Sequence, residues 1–275
     1  MDLRQIREHW DSLAKEHGIG VMSTTKTPTI KALEIDAIAR TLRVILKSTK
    51  DSKSVLEVGC GNGNNIHGLA QLFPELDFVG LDYSNEMISA AQEMKLQSGL
   101  LNMNFAVEDV LNLMNNMKLK ENFDIVLTDR LLINLNTWDL QKKGLSQLNQ
   151  CIKNKGFLLL VENFTNSYSN QNQLRTSLNL NPRTPDPYNL FLSEEKLEPF
   201  LRNELRLSLV LSENFGSLHD LLLYVLLPHV NNKRVVYDAP IMESVTQLLL
   251  NFPHSLQKNF GDFGQNKLYL FQKTL

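Results

Sequence analysis

Between Ser54 and Phe164 the chain alternates short apolar runs with amphipathic stretches, and few folds accept that order. "SVLEVG", "DFVGLDYS", "MNFAVEDV", "FDIVLTDR" and "FLLLVENF" have strand length. Between them "NNIHGLAQLFP" reads as a helix stopped by Pro74, and "NEMISAAQEMKLQSG" as a helix capped near Ser84 and ended at Gly99. "TWDLQKKGLSQLNQCIKNKG" reads as a helix ending at Gly156. Continuous apolar strands separated by amphipathic helices require a parallel sheet covered on both faces, wound by right-handed crossovers.

The flanks extend this core. "LRQIREHWDSLAKEHG" places Leu3, Ile6, Trp10 and Leu13 on one helical face, and a second helix carries Ile30, Leu33, Ala37, Ile38, Leu42 and Ile45. After Phe164, "TNSYSNQNQLRTSLNLNPRTPDPYN" is polar and carries three prolines, so it reads as a long functional or mobile connection. "SEEKLEPFLRNE" opens with a serine cap and acidic residues, which favours a helix. "LRLSLVLSENF", alternating Leu207, Leu209 and Leu211, and the terminal "NKLYLFQKT" complete the strands, with helical segments between. The fold class is α/β: a doubly wound, mostly parallel, seven-stranded sheet with helices on both faces, an N-terminal helical cap and inserted lid segments. A single domain is expected over residues 1–275, with the cap over 1–50, a cofactor-binding core over 51–164, and a substrate-side lid with helices and closing strands over 165–275.

At 275 residues and 43% hydrophobic content the chain can bury one large core. Its net charge is −2 and its pI about 6.3, which disfavours a nucleic-acid partner because phosphate contacts need a basic excess. Cys60 and Cys151 have neither metal-ligand spacing nor a disulfide framework, in keeping with a reducing compartment. No metal cluster is evident. The opening residues lack a signal-peptide core, and the apolar run Leu218 to Val230 is short and interrupted by His219, Asp220 and Pro228. These features read as a soluble cytoplasmic protein, and a homodimer is compatible with them.

Function turns on "LEVGCGNGNN", with glycines at 59, 61 and 63. Glycine is costly to order and is justified by a sharp turn or a close approach. A dinucleotide fingerprint needs a further glycine at position 64, which is Asn64. Glu57, at the end of the first strand, would repel a pyrophosphate and suits a ligand that carries an ammonium group.

With this Glu-x-Gly-x-Gly-x-Gly pattern the chain resembles the class I, Rossmann-like S-adenosylmethionine-dependent methyltransferases, over roughly Ser54 to Phe164. The resemblance implies a donor site of Glu57, Gly59, Cys60, Gly61 and Gly63 on the methionine side. It implies Asp82 for the ribose hydroxyls, since a carboxylate accepts both protons. Tyr83 is implied against the adenine, and Asp109, with Glu108 as the alternative and Val110 beside it, near the adenine amino group. "FDIVLTDRLLINL" is similar to the fourth strand and the loop facing the methionine portion and the acceptor, so Thr128 is added to the donor set and Asp129 and Arg130 to the reacting set. Three acidic strand ends in series, Glu57, Asp82 and Asp109, reinforce one another, because ligands of open α/β sheets bind along that edge.

Methyl transfer from a sulfonium is an in-line displacement, so the protein mainly aligns the reactants, and a base is needed only when the acceptor must lose a proton. Base candidates are Asp129 and Glu162 at strand ends, with His17 and His219 in covering segments; each also has a structural alternative. Arg130 either meets a substrate carboxylate or phosphate or forms an internal ion pair. Trp10 and its helix are expected to close over the cofactor. The place after the fourth strand reads "TDRLL", not the Asn/Asp-Pro-Pro-aromatic motif of amino-base methyltransferases. The "WDSLA" opening and the "DRLLINL" loop resemble methyltransferases of bacterial surface polysaccharides, implying a small molecule or glycan and favouring O- over N-methylation. A non-catalytic cofactor-binding module and an NAD(P)-dependent reductase are the alternatives.

Overall fold

The computed structural model describes residues 1–49 and 53–274. Helix α1 (Leu3–His17) is followed by α2 (Pro28–Ser48), then β1 (Ser54–Val58), α3 (Asn64–Leu72), β2 (Asp77–Asp82), α4 (Asn85–Ser98), β3 (Met103–Val107), β4 (Phe123–Asp129), α5 (Trp138–Cys151) and β5 (Ile152–Asn163). Beyond lie α6 (Thr165–Ser177), α7 (Glu194–Asn203), β6 (Leu207–Glu213), α8 (Ser217–Leu221), α9 (Leu227–Val230), α10 (Pro240–Asn251), α11 (His254–Gln257) and β7 (Asn266–Lys273). The seven strands form one sheet in the order β3-β2-β1-β4-β5-β7-β6. All pairings are parallel except those of β7, which runs antiparallel to β5 and β6. The strand order reverses between β1 and β4, and a crevice opens there at the carboxyl ends of the strands.

Both sheet faces are packed. One carries Ile38 and Leu42 of α2 with Ile66 and Leu69 of α3, and the other Leu145 and Leu148 of α5, all fully buried. Of the residues 1–50 expected as a cap, α2 packs as a core layer, while α1, residues 22–27 and the first turns of α2 line the crevice. Ser84 caps α4 as expected, accepting from the Met87 N–H at 3.1 Å, and Gly99 closes that helix in the left-handed region.

Three expectations change. Helix α5 stops at Cys151 instead of Gly156, because Ile152 already pairs with Phe123 and the chain loops out before rejoining the ladder at Phe157. The polar stretch after Phe164 is in part a helix, α6, whose buried stripe is Ser167, Tyr168, Gln171 and Arg175. Its spacing is helical, but its chemistry is polar, so apolar periodicity could not reveal it. In β6 a register shift between Leu209 and Leu211 breaks the alternation and leaves Leu209 exposed on an edge strand.

Candidate active site

A cavity of about 830 Å³ follows the crevice from β3 to the segments after β5. That lies within the ~300–1,000 Å³ of small-molecule sites. Its lining includes Glu57, Gly59, Cys60, Gly61, Asp82, Tyr83, Glu108, Asp109, Val110, Asp129 and Arg130.

The glycine loop forms the turn from β1 into α3, and Gly59, Gly61 and Gly63 take φ of 75°, 53° and 81°. Protein fills the space a side chain would need there: a Cβ at Gly61 would lie 2.7 Å from Thr24 Cγ2, and one at Gly59 2.8 Å from Leu131 Cδ1. These glycines therefore admit neighbouring chain as well as leaving room for a ligand. The Gly61 N–H donates to Asp82 Oδ2 at 2.9 Å and the Ser84 N–H to Asp82 Oδ1 at 2.9 Å. Burial pushes the Asp82 carboxyl up to about 6, against those two N–H groups that lower it. Tyr83 lies under the Arg7 guanidinium at 5.7 Å. Asp109 accepts from the Leu111 N–H and Asn112 Nδ2, both at 2.9 Å, and so holds the turn that carries Val110. Glu108 accepts from Asn116 Nδ2 at 2.9 Å.

A charged network forms the floor at the β1–β4 switch. Lys31 Nζ donates to Asp129 Oδ2 and Glu34 Oε2, each at 2.6 Å, and Asn65 Nδ2 reaches Glu57 Oε1 at 2.7 Å and Asp129 Oδ2 at 2.9 Å. Arg130, whose φ is 54°, pairs through Nε with Glu34 at 3.2 Å and Asp129 at 3.4 Å. Of its two alternatives, Arg130 has the internal ion pair. Burial would raise Asp129, but Lys31 and Arg130 hold it below the usual carboxylate range. Glu57 has no cation in contact: burial pushes it up to about 8, and its Oε2 has no partner among the described residues. The sequence reading missed Lys31 and Glu34. Both interrupt the apolar face of α2 beside Ile30 and Leu33, and a charge on a buried helical face was the available signal.

Three residues of the expected donor and reacting sets do not line the cavity: Gly63, where an added Cβ would meet Phe105 Cζ at 2.8 Å, Thr128 and Glu162. Thr128 is fully buried and donates to Glu162 Oε1 at 2.9 Å, so its hydroxyl is turned away from the donor side. Glu162 is also fully buried, and it accepts from the N–H groups of Leu131, Leu132 and Ile133 at 3.1, 3.0 and 3.4 Å. Its carboxyl group caps the turn after β4, is pushed up to about 8 by burial, and does not line the cavity. His219 is buried between Thr29 Oγ1 at 2.9 Å and Asp220 Oδ1 at 3.0 Å, while His17 is on the cavity wall.

Helix α1 closes one side. Trp10 lines the cavity, and its Nε1 donates to Asn134 Oδ1 at 3.3 Å. His9 stacks near Tyr188 with ring centres 4.6 Å apart; burial and then Lys26 lower its pKa below the ordinary histidine value. Asn62 Nδ2 donates to the carbonyls of Gly18 and Gly20, both at 2.9 Å, so the glycine loop fastens the end of this lid. Several residues of the cavity wall carry buried polar atoms without a partner among the described residues: His9 Nε2, Asn163 Oδ1, Tyr168 OH, Asn189 Oδ1 and Asn266 Oδ1, beside Glu57 Oε2. Buried polar atoms are normally paired, and six of the nine unpaired ones among the described residues lie on this wall.

Residues 49–203, just over half of the chain, match the family described as a methyltransferase domain. The tRNA (guanine-N(7)-)-methyltransferase of Cytophaga hutchinsonii is 36% identical over 63 residues, 23% of this chain and 28% of that protein. The malonyl-[acyl-carrier protein] O-methyltransferase of Bacillus cereus is 30% identical over 95 residues, 34% of this chain and 33% of that protein. The chain thus spans a third or less of the length of these curated relatives. Among solved structures, magnesium protoporphyrin IX methyltransferase from Synechocystis with bound SAH is alike in fold, with a TM-score of 0.60 at 14% identity over 99% of this chain and 100% of that one. No helix among the described residues is long and apolar enough to cross a membrane.

Proposed function

We propose, from the premise that the chain belongs to the methyltransferase domain family, that it transfers a methyl group from S-adenosylmethionine to a small acceptor. One observation carries the reading. The cavity joins the Asp82 and Glu57 strand ends to a second half where several buried polar atoms have no partner among the described residues. When bound, the donor supplies a methyl group on a positively charged sulfur. Asp82, already fixed by two backbone N–H groups, accepts the ribose hydroxyls. Glu57 presents a free oxygen to the ammonium group, and Asp109 and Val110 border the adenine.

The acceptor group we infer is a hydroxyl of a sugar or glycan intermediate. Supporting it is a wall that mixes Tyr168, Tyr188, Tyr224 and Tyr237 with the amides of Asn163, Asn189 and Asn266, a combination of apolar and hydrogen-bonding groups that suits a sugar. The relatives' names differ in acceptor, a tRNA base in one and a malonyl group in another, and do not choose among classes. A hydroxyl must lose a proton, and Asp129 is a weak base because Lys31 and Arg130 stabilise its charge. We assign the base to His9, a cavity-wall imidazole whose pKa is lowered by burial and then Lys26 and whose Nε2 is buried without a partner among the described residues. Asp129 and Arg130 then shape the floor under the methionine portion.

Calorimetry with S-adenosylhomocysteine and NAD tests the donor. Binding of the first alone is expected, and binding of NAD alone would overturn the reading. Transfer of labelled methyl to sugar acceptors tests turnover; donor binding without transfer to any acceptor would leave a binding module of the same fold.

A further inference from the structure

Arg183 differs from the other cations of the cavity wall. Lys31 and Arg130 are paired with carboxylates, and Lys26 lies 3.6 Å from Asp186. Arg183 has no carboxylate within ion-pair distance among the described residues, although it is half-buried. Its position is nonetheless fixed. The guanidinium carbon lies 3.5 Å from the Tyr224 ring centre and 5.2 Å from that of Tyr168. Its Nη1 donates to Gln171 Oε1 at 2.8 Å and Gln265 Oε1 at 3.1 Å. Two rings and two amides therefore hold the group, while its Nε and Nη2 edge makes no hydrogen bond among the described residues.

The nearby acid does not quench this charge. Asp220 Oδ2 accepts from Gln171 Nε2 at 3.3 Å and from the Gln265 N–H at 2.9 Å, and Oδ1 faces His219. The same two glutamines thus stand between Asp220 and Arg183. Arg175 of α6, a second guanidinium nearby, bonds among the described residues to the carbonyls of Tyr224 and Asn181 and adds to the positive potential. Independently, the Tyr168 ring lies beside Arg183, and its hydroxyl is buried without a partner among the described residues on the cavity wall. A planar guanidinium fork with an open edge, next to a free phenol donor, is the arrangement that binds a carboxylate or phosphate in two-point fashion.

We propose that Arg183, with Tyr168, is the anchor for an oxyanion on the methyl acceptor, so that the acceptor class is acidic: a uronate or a sugar phosphate in place of a neutral sugar. This rests on the methyl-transfer reading of the cavity and narrows it. The anchored oxyanion turns the acceptor hydroxyl toward the donor half and stays unmethylated.

The test is calorimetric titration of the full chain, saturated with S-adenosylhomocysteine, with glucuronate, glucose 6-phosphate and glucose. At least one anionic sugar should bind and glucose should not; which anion binds separates carboxylate from phosphate. Arg183→Met should weaken the anion by about ten- to a hundredfold, the scale of a hydrogen bond to a charged group, and leave S-adenosylhomocysteine affinity unchanged. Arg183→Lys, which keeps the charge and loses the fork, should fall between, and it serves if the methionine variant fails to fold. Equal binding of glucose, no binding of either anion, or anion affinity unaltered in both variants would overturn the proposal. Failure to bind S-adenosylhomocysteine would instead remove the donor reading beneath it.

Discussion

Asn65 joins Glu57 by a 2.7 Å hydrogen bond to one carboxyl oxygen and leaves the other, Oε2, buried on the cavity wall without a partner among the described residues. The same amide nitrogen reaches Asp129 at 2.9 Å, so one side chain ties the end of β1 to the end of β4 across the switch point. The two acids are thereby separated in character. Asp129 takes Lys31 and stays charged, and Glu57, buried without a cation, holds its proton up to about pH 8.

A cationic ligand group at Glu57 should therefore displace that proton. At pH 7 the free protein holds Glu57 mostly neutral, and an ammonium beside it favours the carboxylate. Binding of S-adenosylhomocysteine is expected to release up to one proton between about pH 5 and 8, seen in calorimetry as a heat that varies with the ionisation enthalpy of the buffer. Glu57→Gln, similar in shape to the neutral form, should fold and lose that dependence. The linked stability has a definite sign: a raised carboxyl pKa stabilises the fold below the ordinary value near 4.5, and this contribution is lost as pH rises through about 8. A buffer-independent heat in the parent protein would place the ammonium elsewhere.

Asp82→Ala should weaken S-adenosylhomocysteine by about 1.5–3 kcal/mol, the scale of hydrogen bonds to a charged group. The same affinity should also fall in the parent protein below about pH 6, where the Asp82 carboxyl gains its proton. Titrations at several pH values check both effects. Affinity that is flat across pH 5 to 7 and unaltered by the substitution would mean that another group holds the ribose.

The outcome shows where sequence pattern carries information. The strands and their acidic ends were legible because buried parallel strands are written as uninterrupted apolar runs and ligand residues fall at their carboxyl ends. The roles of Thr128 and Glu162 were not, because position at a strand end does not say which way a side chain turns, and both turn toward the loop after β4. Helix α6 escaped because its buried face is Ser167, Gln171 and Arg175, polar residues whose partners are distant in sequence, such as Asp262 and Phe263. In the sequence Asn64 signals only a missing glycine; its amide reaches Asn62 Oδ1 at 2.7 Å and the Ile19 carbonyl at 3.4 Å and helps hold the lid turn.

Glu162 separates a structural role from a catalytic one. With the Thr128 hydroxyl and the N–H groups of Leu131, Leu132 and Ile133 all directed at it, Glu162→Ala should strand several buried donors and destabilise the fold by about 3–5 kcal/mol. Glu162→Gln, which keeps acceptor capacity, should recover part of that. Thermal melts with S-adenosylhomocysteine titrations give the answer: a melting temperature near that of the parent, with turnover abolished, would restore Glu162 as a reacting group.

Lys31→Met should also destabilise by about 3–5 kcal/mol, because Asp129 and Glu34 would be left as buried carboxylates with less compensation. Adding Asp129→Asn in the same chain should recover a substantial share, since the pair is then removed together. Denaturant unfolding of the single and double variants measures this coupling. Strictly additive losses would mean that Lys31 and Asp129 do not act as a pair.

His9 is the last and most direct test of the chemistry. Burial and Lys26 together lower its pKa, so the imidazole is neutral at pH 7 and stays a proton acceptor somewhat below the ordinary value of 6.5. The corresponding stability is present above about pH 6.5 and declines as pH falls through the lower folded value. With a hydroxyl acceptor, turnover in the parent should drop on the acid side as His9 gains a proton. His9→Gln should lower kcat by about 10²–10⁴-fold, the range for a general base, and remove that acid limb while donor affinity is retained. If His9 only packs against Tyr188, the acid limb would survive the substitution, so the pH profile distinguishes base from lid residue even when kcat falls in both cases.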